Sequence, residues 1–428
     1  MRLLIIVPAY APFVGGAQTL CRGLAQGFVA DQHRVTVLTT NSQQADDFWL
    51  PPPANRAPLA YRETLEGVQI VRLPLFWPWP APWRFGLLRR ISHLLARFPL
   101  PGLIQKPLLR HFTPFMPPIL ELQSEVRRAA EKAELILLVD AGWDGLFANA
   151  AEVVFSLAKP VIALPLLHTG SPAILSHFCM AHQMAVYRRA AAVIALSVPE
   201  RTRLTGWGVT EDRLHCLSPG VTPLESLPLG ASEEENSPLP SPYVLFLGAA
   251  TYDKGAFTLA QAVAELLRQG EEVALVFAGP QQHRLAVFID TLPPELRAIL
   301  KPRLHLLGQV DEATKQRLLA GCTVLALPSR VDSFGIVILE AWQHAKGVVA
   351  AAVGGPASLI AHEETGLLVP FGDSTALAGA LARMLNEAGL VARLGAAGHQ
   401  IVIHQFTWDK CYDAFYQIAA RIIAPAGG

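Results

Sequence analysis

Charge is scarce in this chain. Only 16% of its 428 residues are charged, and 35 Lys and Arg are balanced by 35 Asp and Glu. The low fraction excludes an acidic or basic disordered protein, and the balance leaves no global field to hold nucleic acid. Cysteine is sparse as well. Cys21, Cys179, Cys216, Cys322 and Cys411 are scattered, odd in number and never spaced as C-x-x-C, so neither a disulfide framework nor a zinc site is indicated. A reducing, cytoplasmic compartment is expected. No apolar run approaches the roughly 20 residues of a membrane span. The run at 3–7 stops at Pro8, too short for a signal-peptide core, so the expectation is a soluble or peripherally bound protein.

Apolar residues, by contrast, make up 51% of the chain, and its length exceeds the roughly 250 to 300 residues at which single cores stop growing. Two domains are expected. Continuous apolar runs at 3–7 and 35–39, with an amphipathic stretch at 17–29 between them, read as β-α-β with strands buried on both faces of a parallel sheet. The alternation returns at 135–139, 161–164, 193–196 and 215–217, giving six strands in a first domain at 1–225. Residues 226–242 carry four prolines, Gly230 and three consecutive glutamates and read as a linker. A second series follows at 243–247, 273–278, 304–306, 323–327, 348–351 and 367–369. Two doubly wound α/β domains in tandem place ligands in a central cleft at the carboxyl ends of their strands.

One insert interrupts the first domain. Residues 67–120 contain no Asp or Glu, yet carry Arg72, Arg84, Arg89, Arg90, Arg97, Lys106 and Arg110 together with Phe76, Trp77, Trp79 and Trp83. Basic and aromatic side chains in one segment suit the surface of an anionic bilayer. The same composition also suits a Pro-rich loop and helical pair that pack their aromatics on their own domain.

Three strand-to-helix loops carry the chemistry. Gly15-Gly16 follows the first strand and opens a helix, where backbone N–H groups can approach a phosphate; it also fits a simple tight turn, and it matches neither G-x-G-x-x-G nor G-x-x-x-x-G-K-[ST]. Lys254, in Thr251-Tyr252-Asp253-Lys254-Gly255, can neutralise a diphosphate or simply be solvated. The segment Pro328 to Trp342 holds Asp332-Ser333-Phe334-Gly335 before an apolar helical stretch with Glu340 inside it. A carboxylate there calls for hydrogen-bonding hydroxyls. With a helix starting near Ser333, Asp332 reads either as its N-cap or as a ligand group.

Asp332 and Glu340, eight residues apart, resemble the E-x7-E signature of retaining glycosyltransferases with the GT-B fold, family 4. The resemblance runs through Gly15-Gly16, Pro165 to Thr169, Ser218 to Val221, Leu247 to Gly255, Ala278-Gly279, Leu307-Gly308, Gly354-Gly355, Gly366 to Pro370 and Phe406-Thr407-Trp408. It implies two Rossmann-like domains, at 1–225 and 243–405, with a last helix at 406–428 crossing back to the first. It also implies transfer of a hexose-type sugar from a nucleotide diphosphate donor to a saccharide or lipid-linked acceptor, with retention, without metal and without a bound cofactor. By the same resemblance His168 contacts the donor sugar, Lys254 binds the diphosphate and Asp332 touches sugar hydroxyls. Ser333 and the backbone N–H groups of Phe334, Gly335 and Ile336 face sugar and phosphate, Glu340 holds the ribose, and Gly16 approaches the phosphate. His168 equally fits a structural role.

Three positions depart from the pattern. Ala249 stands where the family has an arginine beside the lysine, Asp332 replaces a glutamate, and Gly220-Val221-Thr222 replaces Gly-Val-Asp. Ala249 keeps a second reading open, a degenerate partner subunit without transferase activity, ahead of a nucleotide-sugar epimerase.

Overall fold

The apolar runs fold as parallel strands shielded on both faces. The computed structural model describes residues 1–77, 82–97, 102–113, 117–226 and 241–424, in two units. Residues 227–240, most of the expected linker, lie outside the described residues.

The first unit comprises 1–167, 172–220 and 408–428. Its strands are β1 (Arg2–Ile6), β2 (Arg34–Thr40), β3 (Arg62–Leu65), β4 (Val68–Leu73), β5 (Leu135–Val139), β6 (Val161–Leu164), β7 (Ala192–Ala195) and β8 (Leu214–Cys216). They form one sheet in the order β3-β4-β2-β1-β5-β6-β7-β8. All neighbours are parallel except β3 and β4, which form a hairpin. Leu3 of β1 sits opposite Val35 on one side and Leu135 on the other, and the central strand is apolar and buried from Leu3 to Ile6.

The sheet thus has eight strands where six were expected. The two extra ones escape a search for apolar runs because β3 reads Arg-Glu-Thr-Leu and lies at the solvent-facing edge, while β4 contains a charge. That charge is Arg72, which is buried rather than displayed. Its guanidinium pairs with Glu63 at 2.6 Å and donates to the Ala11 carbonyl at 2.7 Å. Arg72 therefore does not contribute to a basic surface, and the insert proper begins only after β4.

The second unit comprises 168–171 and 221–407. Its strands β9 (Tyr243–Leu247), β10 (Ala274–Ala278), β11 (Leu304–Leu306), β12 (Val324–Leu327), β13 (Gly347–Ala351) and β14 (Leu367–Val369) match the six expected runs. They lie in the order β11-β10-β9-β12-β13-β14, all parallel. Both units are Rossmann-like, doubly wound sheets covered by helices. Val244, Phe246, Val263, Leu275, Val324 and Val349 belong to the second unit's core.

The helix Trp408–Ile423 belongs to the first unit and lies against the helix Gly16–Ala30. Tyr412 and Phe415 meet the ring of Phe28 edge-on at 5.2 and 5.8 Å. Trp408 covers Gly23 so closely that a Cβ there would sit 2.2 Å from the indole. Gly23→Val should consequently lower stability by about 1–3 kcal/mol through overpacking. Thermal unfolding checks this, and the penalty should shrink in a Trp408→Ala background, where the obstruction is gone.

Candidate functional site

Strand order makes the site. In the second unit β9 lies beside β12, although β10 and β11 separate them in the chain, so the helices that follow the two strands diverge and leave a crevice at their carboxyl ends. The loop after β9 closes with Gly255, whose φ of +79° suits glycine and whose Cβ would stand 2.0 Å from the Pro328 carbonyl oxygen. Any side chain there would push the β9 loop off the β12 loop. Gly255 also caps the helix Ala256–Arg268, so the chain turns outward immediately after presenting Lys254.

Two ion pairs of opposite sense then join the loops. Lys254 Nζ donates to Asp332 Oδ1 at 2.7 Å, while Arg330 Nη2 and Nε donate to Asp253 Oδ1 at 2.6 and 2.9 Å. The Arg330 amide adds a bond to the Asp253 carbonyl at 3.0 Å, and its guanidinium lies 4.7 Å from the Phe371 ring centroid and 5.3 Å from that of Tyr252. Burial opposes ionisation of Asp332, but Lys254 outweighs it and, with Ser329 and His168, holds the carboxyl below its ordinary range. Oδ2 of Asp332 and Oγ1 of Thr169 are buried with no hydrogen-bond partner among the described residues.

His168 stands in the segment 168–171, which follows β6 but groups with the second unit. Gly170 brings it there: a Cβ at this position would lie 2.4 Å from the Arg330 carbonyl oxygen. The structure thus brings His168, Lys254 and Asp332 together.

The expected start of the next helix is corrected. It spans Ile336–Gln343, with Gly335 as a left-handed N-cap that offers no side chain. Asp332 lies three residues before the cap and is not the N-cap; its carboxylate is committed to Lys254. Ser333 is half-buried, and Phe334 is buried with its ring 5.8 Å from that of Phe406. First-turn N–H groups of a helix have no intrahelical acceptor. With no capping side chain, those at Ile336 and Val337 lie at the positive end of the helix dipole.

Glu340, the fifth residue of that helix, meets Lys315 at 2.7 Å. Burial raises the Glu340 carboxyl above its ordinary range although Lys315 opposes the shift. Lys315 also pairs with Glu312 at 2.9 Å, and the two carboxylates overcome burial and raise the ammonium group. Lys315 was not singled out from sequence. Asp311 caps its helix by accepting from Thr314 N at 2.8 Å, a local signal that places Lys315 one turn inside the helix but does not disclose Glu340 as its partner. Gly16, the remaining candidate, is the first residue of the helix Gly16–Ala30 in the first unit, after the extended Gly15.

Two family models divide the chain between them. Residues 14–223 match the model for "Glycosyltransferase Family 4" and 231–401 that for "Glycosyl transferases group 1". The chain belongs to the family 4, group 1 glycosyltransferases of the GT-B fold. It is 32% identical over 229 residues to a D-inositol 3-phosphate glycosyltransferase of Xylanimonas cellulosilytica, across 50% of this chain and 53% of that one. The match thus spans about half the length of that relative. Among solved structures, sucrose-phosphate synthase from Thermosynechococcus elongatus shares the fold with a TM-score of 0.70 at 20% identity, over 99% of each chain. Anabaena HepE in complex with UDP-glucose does so with a TM-score of 0.66 at 19% identity, over 99% of this chain and 100% of that one.

Within this family member, the ion pair at the β9–β12 switch makes a clear prediction. A carboxyl held below its ordinary range contributes stability above that range and loses it as pH falls through the depressed value. Lys254→Met removes the cation and leaves only the burial that raises the carboxyl. With both side chains partly exposed, the variant should be less stable than wild type by about 1–2 kcal/mol at pH 7. The deficit should shrink towards pH 4, as Asp332 takes up a proton. Urea unfolding at the two pH values measures it.

Proposed function

We propose that the chain transfers a hexose-type sugar from a nucleoside diphosphate donor to a saccharide or lipid-linked acceptor, with retention of anomeric configuration and without a metal ion, in the cytoplasm or at the cytoplasmic face of a membrane. The observation that carries this reading is the meeting of Lys254, Asp332 and His168 at the β9–β12 switch, beside an uncapped helix N-terminus. Family membership and the UDP-glucose held by the structurally similar HepE support a nucleotide-sugar donor.

Transfer breaks the bond between the sugar's anomeric carbon and the diphosphate oxygen, so negative charge grows on the diphosphate while the sugar becomes oxocarbenium-like. Lys254 Nζ and the N–H groups at the start of the helix Ile336–Gln343 stabilise that charge. Asp332, through the oxygen left without a partner, accepts from sugar hydroxyls, and Glu340 accepts from the ribose. The acceptor hydroxyl attacks the face that the diphosphate leaves and passes its proton to the departing phosphate oxygen. No protein nucleophile enters the step.

Glu340→Gln should weaken nucleoside diphosphate binding by on the order of 1.5 to 3 kcal/mol, because a charge-assisted bond is replaced by a neutral one. Calorimetry with UDP, GDP and ADP measures it and names the base. Ala249 favours the degenerate-subunit reading, and the same titrations address it: Ala249→Arg should tighten binding in a working site. Absence of binding in both wild type and Ala249→Arg would replace the enzyme reading with a partner subunit. His168→Ala should lower turnover far more than it lowers affinity for the free nucleoside diphosphate, which carries no sugar. Steady-state rates set beside calorimetric affinities test the split.

A further inference from the structure

The helices Pro82–Arg97 and Gly102–Phe112 turn apolar side chains outward. Trp83 is 68% exposed, Leu94 62% and Leu87 47%, and Arg90 is exposed among them. These four positions, spaced by four, three and four residues, fall within about 60° of one helix face. The opposite side faces the protein, with Ser92 buried and Leu88, Ile91 and Leu95 half-buried. On the second helix Ile104 is exposed while Leu109 is buried, and Phe76, which precedes the pair, is 46% exposed. Large apolar residues scattered singly over a surface are ordinary, but a contiguous stripe of them marks a surface that meets something apolar.

Charge identifies the occupant. No acidic residue occurs between Glu66 and Glu121, whereas six basic residues besides the buried Arg72 do. Of these, Arg90 is exposed and Arg110 pairs with Glu152 at 2.7 Å. A second copy seated on this face would set two segments rich in basic residues, with no acidic residue of their own, against each other, which is unfavourable. Lipid phosphates complement it. Among the described residues no helix is long and apolar enough to cross a membrane.

We propose that this face docks on an anionic bilayer, with Trp83, Leu87 and Leu94 at the boundary of headgroups and acyl chains and Arg90 against lipid phosphates. The proposal rests on the functional reading only for its purpose, which is access to a lipid-linked or membrane-proximal acceptor. Flotation of the full chain should show binding to vesicles of equal parts phosphatidylglycerol and phosphatidylcholine, none to phosphatidylcholine alone, and release as salt rises from about 0.1 M to 1 M. The Trp83→Ser, Leu87→Ser, Leu94→Ser triple variant should bind at least about tenfold less, with unchanged circular dichroism and unchanged nucleoside diphosphate affinity in lipid-free solution. Arg90→Glu, which keeps the apolar stripe, should weaken binding and make what remains less sensitive to salt, and it serves as the test if the triple variant does not fold. Wild type absent from anionic vesicles, or both variants floating like wild type, would overturn the proposal. So would a dimer, seen by sedimentation, that the triple variant abolishes while lipid is ignored. Loss of nucleotide binding with flotation intact would strike the donor reading and leave this one standing.

Discussion

The antiparallel arrangement of two ion pairs, Lys254 with Asp332 and Arg330 with Asp253, is the constraint on which the candidate site depends. Each pair takes its cation from a different loop, so the β9 and β12 loops are cross-tied rather than attached at one point. The tie is possible only because Gly255 allows the backbones to touch at Pro328, and it is extended by the approach of Gly170 to Arg330. A carboxylate as secluded as Asp332 would otherwise be driven towards its neutral form; next to Lys254 it stays ionised. The loop that carries Phe334 and Gly335 into the uncapped helix is therefore positioned by electrostatics at one end and by packing of Phe334 on Phe406 at the other.

Much of this was legible in the chain because its strands are continuous apolar runs and chemistry in doubly wound folds gathers in the loops after strands. Lys254, Asp332 and Glu340 could each be placed relative to a strand by counting residues. What counting does not reveal is partnership. Asp253 and Arg330 are 77 residues apart, and Lys315 and Glu340 are 25 apart on separate helices, so nothing local announces either pair. The hairpin of β3 and β4 was missed for a different reason. Its outer strand is polar because it is an edge, and its inner strand hides Arg72 by pairing it with Glu63 across the hairpin, a contact visible only once the register is known. The helix start at Ile336 was misjudged because Asp332 and Ser333 are strong capping residue types, whereas the chain uses Gly335 in a left-handed conformation.

Ala249 alters the electrostatic balance that a diphosphate would meet. Two cations near the site are each matched by a carboxylate: Lys254 by Asp332, and Arg330 by Asp253 with aromatic rings beside it. Arg330 is thus not a spare positive charge replacing the absent arginine. The positive end of the helix dipole at Gly335 has no capping side chain, and it is fixed by backbone rather than by a side chain.

On the proposed function, this balance makes donor binding an exchange instead of a simple attraction. Lys254 can contact a phosphate oxygen at full strength only by loosening its bond to Asp332, and a half-buried carboxylate left without that cation must find other donors. Sugar hydroxyls supply them when the intact donor binds, whereas a nucleoside diphosphate from which the sugar has gone does not. The same pair that ties the loops together thereby favours the intact donor over the spent one, and re-forms as the product departs. A site with a second free cation would hold the diphosphate more tightly but would discriminate less between the two.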